Sequence, residues 1–99
     1  MHDVKKVIPT NTKLVEITAS NLRNFRRTAG MNQSDLARQI GVTFQQIGKY
    51  ERGHNIMSCI RLAQIASVLN RGIQDFYVDV RYSDNGPINS QPAPLAVAS

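Results

Sequence analysis

Apolar residues in the middle of the chain recur at spacings of three and four, and each string is closed by glycine or a small polar residue. That is the pattern of short helices burying one face. In SNLRNFRRTAG, Leu22, Phe25 and Ala29 form one stripe, with Thr18 or Ser20 as candidate N-cap and Gly30 as the stop. A second helix is expected after Asn32, with Leu36, Ala37 and Ile40 facing inward and Gly41 at its exit; Asp35 is a short partner for a capping box there. A third begins at Thr43, where Gln46 at the third position promises a cleaner capping box, with Ile47 and Tyr50 inside and Gly53 at the end. Ser58 caps a fourth, carrying Leu62, Ile65, Ala66 and Leu69, and Asn70-Arg71-Gly72 closes it. A fifth short segment, IQDFY, offers Ile73, Phe76 and Tyr77 to cover the open side. The expected fold is all-α: five short helices joined by connections of about two to six residues.

The two ends read differently. VKKVI and KLVEI are β-prone runs around PTNT, and Val78 to Tyr82 alternates apolar and polar groups; these arms could pair as a small sheet or stay extended without ladder bonds. From Ser83 the chain is Asn, Gly, Pro, Ser and Ala with almost no charge, the composition of a disordered tail. The expected division is an N-terminal arm over 1–17, a helical domain over 18–77, an extended segment over 78–82 and the tail over 83–99.

The 99 residues allow one domain at most. The single cysteine, Cys59, excludes an internal disulfide, suits a reducing compartment, and is expected to be a small, partly buried filler. No apolar run approaches the roughly 18–20 residues of a membrane span, and the start lacks a signal-peptide pattern, so a cytoplasmic location is expected. The net charge is +5. Its placement says more than its size, because residues 20–61 hold seven cations against Asp35 and Glu51, a net +5 by themselves. From residue 70 onward, Arg71 and Arg81 face three aspartates, a net −1. A polyanionic partner for the middle segment follows more naturally than arginines that only solvate a small domain.

The third helix carries the chemistry. Thr43 and Gln46 are explained by helix initiation, although Gln46 serves equally well as a contact to that polyanionic partner. Phe44, Gln45 and Lys49 are not explained by packing, because a helix with Ile47 and Tyr50 inside turns them outward. A helix ending at Gly41, a turn through Val42 and a second helix from Thr43 is the helix-turn-helix arrangement, whose second helix enters the major groove by its N-terminal residues. There Gln bonds two atoms of one base edge, Lys donates to guanine acceptors, and an exposed Phe touches a thymine methyl.

The longer stretch NQSDLARQIGVTFQQIGKYERG resembles the DNA-binding domain of the phage Cro and lambda-repressor type, over roughly residues 18 to 77. The resemblance implies a compact five-helix lambda-repressor-like domain. It implies that Gln33 bonds a phosphate and braces the base-reading side chains, that Phe44, Gln45 and Lys49 face bases with Gln46 beside them, and that Asn55 and Ser58 rest on the DNA backbone. It also implies a structural ion pair between Arg26 and Glu51. Thr43, Arg52 and His54 join the expected backbone contacts, and among Arg23, Arg27, Arg38, Arg52 and Arg61 two or three are expected to clamp phosphates. The chain departs from the pattern at Phe44, where many relatives carry Gln, and at Met57, where Pro is frequent. Gly48, inside the recognition helix, costs about 0.5–1 kcal/mol against Ala, offset either by close approach to DNA or by a tight packing contact.

Two His and one Cys assemble no nucleophile, base and orienting group, and the sequence shows neither a phosphate-cradling Gly loop nor a zinc pattern. No enzyme, cofactor or metal is expected. The expected function is a transcriptional regulator, a repressor, that binds a palindromic double-stranded operator as a homodimer. The alternative is an antitoxin or other interaction module that engages a protein partner through the 83–99 tail and binds DNA secondarily.

Overall fold

The computed structural model describes residues 10–79. The run at 4–8, the end of the 78–82 segment and the tail lie outside the described residues, and so do the expectations placed on them. Four α-helices follow in order, α1 (Asn11–Thr28), α2 (Gln33–Ile40), α3 (Phe44–Glu51) and α4 (Cys59–Leu69), and a 3-10 turn, Ile73–Tyr77, closes the domain. The all-α expectation holds, with the fifth helix reduced to that turn.

Periodicity accounts for the core. Leu22, Leu36, Ala37, Ile47, Tyr50, Leu62, Ile65, Ala66, Leu69 and Phe76 form one buried cluster to which every element contributes. Phe76 is fully buried and meets Phe25 edge-on, with ring centroids 5.0 Å apart, while the Arg71 guanidinium covers the Phe25 ring at 4.3 Å. The turn is tied to α1 by the Asn21 amide, which donates to the carbonyls of Phe76 (2.7 Å) and Val78 (2.9 Å).

Several sequence expectations need correction. The first helix starts at Asn11, so residues 11–17 of the expected arm, including the β-prone KLVEI, belong to α1. Its cap is Thr10, whose hydroxyl accepts from Lys13 N at 3.1 Å, whereas the Thr18 hydroxyl donates to the carbonyls of Leu14 and Val15 inside the helix. Tertiary burial overrides the β-prone composition here: Ile17 and Ala19 are buried and Leu14 and Val15 half-buried. Ala29 lies at the C-cap and is exposed rather than part of the stripe. Ile73 and Tyr77 remain about half exposed, so Phe76 alone seals the core from the turn. Cys59 is exposed, because the first turn of α4, with Ile60, lies outside the core.

The two capping boxes exchange quality. In α2, Asn32 Oδ1 accepts from Asp35 N at 2.7 Å and Asp35 Oδ2 accepts from Asn32 N at 3.0 Å. At α3, Thr43 Oγ1 accepts from Gln46 N at 3.1 Å, but the Gln46 side chain returns no bond. A carboxylate accepts a backbone N–H more strongly than an amide oxygen does, which compensates for the shorter reach of Asp.

Candidate nucleic-acid interface

The turn between α2 and α3 fixes the presentation of α3. Gly41 takes a left-handed conformation (φ 75°), which lets Val42 N bond to Ala37 O at 3.0 Å and turns the chain directly into the Thr43 cap. Val42 is half-buried against the core, so the turn is packed as well as bonded.

On α3, Ile47, Gly48, Tyr50 and Glu51 are buried, while Phe44, Gln45 and Lys49 are exposed and Gln46 is half-buried. At about 100° per residue, Gln45, Lys49 and the C-cap Arg52 fall within an arc of roughly 60° on the outer face. Among the described residues no side chain bonds their heads. Phe44 sits apart from that strip, one turn before Gly48 at the edge of the buried face, and keeps 49 % of its surface exposed. The expectation that grouped it with Gln45 and Lys49 on one side is thereby refined: it flanks the polar strip.

Behind the strip lies a polar network that holds α3 to the rest of the domain. Arg26 and Glu51 are both buried; Arg26 Nε donates to Glu51 Oε2 at 2.6 Å and Nη2 to Oε1 at 3.0 Å. Its remaining nitrogen, Nη1, donates to the Met31 carbonyl at 2.8 Å, in the connection between α1 and α2. The hydrogen bond it donates to Glu51 holds the Arg26 guanidinium above its ordinary pKa against the opposing effect of burial, and the carboxylate charge adds to it. Gln33, the first residue of α2, donates Nε2 to Glu51 Oε1 at 3.0 Å. Side chains from α1 and α2 thus converge on a single carboxylate of α3, and the loop joins the network through Arg26.

The remaining residues expected at DNA are surface groups around this helix. Thr43 and Ser58 are exposed N-caps; Ser58 Oγ accepts from Arg61 N at 3.0 Å. His54 and Asn55 are exposed in the loop after α3, where His54 N bonds Lys49 O at 2.9 Å. Arg23, Arg52 and His54 line an open cleft of about 760 Å³ between α1 and that loop. Among the five candidate clamps, Arg38 pairs with Asp35 at 2.9 Å and Arg61 reaches Gln64 Oε1 at 3.0 Å and the Ile40 carbonyl at 3.4 Å. Among the described residues Arg23, Arg27 and Arg52 have no such acceptor and are the more available cations.

Of the alternatives left open at Gly48, the structure bears on the packing one. A Cβ there would stand 2.9 Å from Arg52 Nη1 and 3.6 Å from Gln33 Oε1, so the close neighbours are side chains of this domain. The sequence analysis missed this contact, although the i,i+4 spacing of Gly48 and Arg52 was a signal for it.

Among the described residues no group of three or more His, Cys, Asp or Glu side chains is placed to hold a metal ion, and no helix is long and apolar enough to cross a membrane.

A sequence model described as helix-turn-helix matches residues 22–76. A transcriptional regulator in the ATPase CF(0) region of Rhodospirillum rubrum is 52 % identical over 60 residues, covering 60 % of this chain and 56 % of that protein. The chain spans about half the length of the curated relatives it matches. Among solved structures, the clp gene regulator ClgR from Corynebacterium glutamicum superposes with a TM-score of 0.62 at 28 % identity, over 64 % of this chain and 67 % of that one. Hydroxypropylphosphonic acid epoxidase from S. wedmorenis matches with a TM-score of 0.65 at 25 % identity, over 76 % of this chain but 39 % of the enzyme.

Proposed function

The chain belongs to the helix-turn-helix family, and on that premise we propose that it is a sequence-specific, double-stranded DNA-binding transcriptional regulator that sets α3 in the major groove. The observation that carries this reading is the strip of Gln45, Lys49 and Arg52, three outward polar heads on a helix whose other face is locked into the core through Glu51. Base-edge recognition needs donors and acceptors held rigidly in place and not already bonded within the protein. Gln45 and Lys49 read bases, with Gln46 beside them; Phe44 contacts a thymine methyl from the flank. Gln33, Thr43, Arg52, His54, Asn55 and Ser58 contact the sugar-phosphate backbone. The role is non-enzymatic and cytoplasmic.

One such helix reads about four base edges, too few to specify a genomic site. A homodimer on a two-fold symmetric operator, with recognition helices about 34 Å apart, supplies the missing information. Occlusion of a promoter by such a dimer makes the protein a repressor. Its dimer contact falls on the segment from Phe76 to Tyr82, in which Phe76 itself is buried in this chain's own core, on the N-terminal run, or on both. A Tyr82→Asp variant that stayed fully dimeric in sedimentation would count against the C-terminal contact.

Selection of bound duplexes from a random pool tests the reading. An enriched two-fold motif that relaxes at defined positions with Gln45→Ala is the expected result. Weak, salt-sensitive binding with no motif, unchanged by Gln45→Ala, would sink it.

A further inference from the structure

Gly48 is an anomaly of the recognition helix. It lies in the helix interior, where glycine is unfavourable, and its φ is negative, so the backbone conformation does not require it. It is buried in a segment whose neighbours Gln45 and Lys49 are exposed. What covers it is the guanidinium of Arg52, with Nη1 2.9 Å and Cζ 3.7 Å from the place a Cβ would occupy, and the Gln33 amide oxygen at 3.6 Å. A residue one turn further along a helix leans back toward the N-terminus, so the Arg52 stem leads its head onto this notch.

We infer that Gly48 is a positioning residue for DNA binding: its missing side chain forms a seat that holds the Arg52 guanidinium over the middle of α3, beside Gln33. The inference rests on the DNA-binding reading proposed above and deepens it. A guanidinium is a planar fork of donors, and its value against a phosphate depends on how far its orientation is fixed before contact. Seated over Gly48, Arg52 approaches the backbone as an ordered donor in the same strip as Gln45 and Lys49. Any Cβ at residue 48 displaces it, because the atom in the way is the end of a side chain and not main chain.

The test compares wild type, Gly48→Ala, Arg52→Gln and the double variant on the selected operator across a salt series, with thermal melting of each. Alanine favours helix, so Gly48→Ala is expected to melt at or above the wild-type temperature while binding about five- to tenfold more weakly. Its salt slope should fall by about 0.9, the equivalent of one phosphate contact. Arg52→Gln should lose a similar factor, and the double variant should be no weaker than either single change. Losses that multiply in the double variant, or unchanged binding in Gly48→Ala, overturn the inference. NMR relaxation of the Arg52 Nε–Hε group in the DNA-free protein provides a readout independent of the operator. It should be ordered in the wild type and mobile in Gly48→Ala; a mobile head in the wild type overturns the seat even if binding changes. Failure of the wild type to select any operator would instead strike the DNA-binding reading, leaving the relaxation result to judge the seat.

Discussion

Arg26 grips Glu51 through two nitrogens, at 2.6 and 3.0 Å, and Glu51 is the residue on which Gln33 also leans. The back of the recognition helix is therefore held by a buried charge pair, not by apolar contact alone. Such pairs add little net stability over a well-packed apolar pair, yet removing one partner strands the other charge. Glu51→Leu should lower the unfolding free energy by about 3–5 kcal/mol in denaturant titration. Arg26→Met combined with Glu51→Leu should recover much of that loss. If the single and double variants unfold at the same denaturant concentration, the stranded guanidinium is not the cause.

A second ionic element responds to pH. The backbone N–H of Asn32, foremost, and the Arg38 guanidinium hold the Asp35 carboxyl below its ordinary pKa. A depressed folded-state pKa contributes stability above the unfolded value and loses it as pH falls through the folded value. Asp35→Ala should therefore melt below the wild type at neutral pH, and the difference should shrink as pH drops below the usual carboxylate range. A gap in melting temperature that persists unchanged to pH 2 would mean that the charge is not what Asp35 contributes.

α2 and α4 were legible because a cap, an apolar period and a closing glycine or asparagine coincide in each, and α3 because Thr43 and its apolar period mark it. α1 was half legible. Its second half follows from Leu22 and Phe25, but NTKLVEIT is rich in β-branched residues, and its helical state goes with the burial of Ile17 and Ala19, which local composition does not announce. Thr10→Ala should thus cost about 1 kcal/mol by removing the cap, whereas Ser20→Ala, mid-helix and exposed, should be close to neutral. The reverse order in thermal melts would place the helix start where the sequence pattern put it.

The site divided in a similar way. Which heads point outward on α3 could be read from Ile47 and Tyr50. What stands behind them could not be read from spacing: Arg26 and Glu51 are 25 residues apart and Gln33 and Glu51 are 18 apart, and only the resemblance pointed to the first pair. Phe44 is exposed as the periodicity predicts, and finer helical geometry sets it at the edge beside Gly48.

Phe44 yields a test that separates methyl contact from general apolar surface. It is about half exposed and outside the core cluster, so Phe44→Ala should change thermal stability little. If its ring meets a thymine methyl, replacing that thymine by deoxyuridine should weaken wild-type binding and leave Phe44→Ala indifferent. Equal losses in both proteins would show that the methyl group is read by something else.

Gln45 and Lys49 lie on one strip but should fail differently when removed. An amide that bonds two atoms of one base confers discrimination of about 1–3 kcal/mol at that position, so Gln45→Ala should relax the operator there while its affinity for unrelated DNA stays near wild type. Lys49 reads a base edge and also carries a full charge, so Lys49→Ala should relax the operator at its own position and weaken unrelated DNA as well, lowering the salt slope by up to about 0.9. Binding-site selection on each variant, with affinities at several salt concentrations, distinguishes the two. A Lys49→Ala protein with an altered operator preference and an unchanged salt slope would move Lys49 wholly onto a base edge. A Gln45→Ala protein with an intact motif would leave α3 without its principal reader.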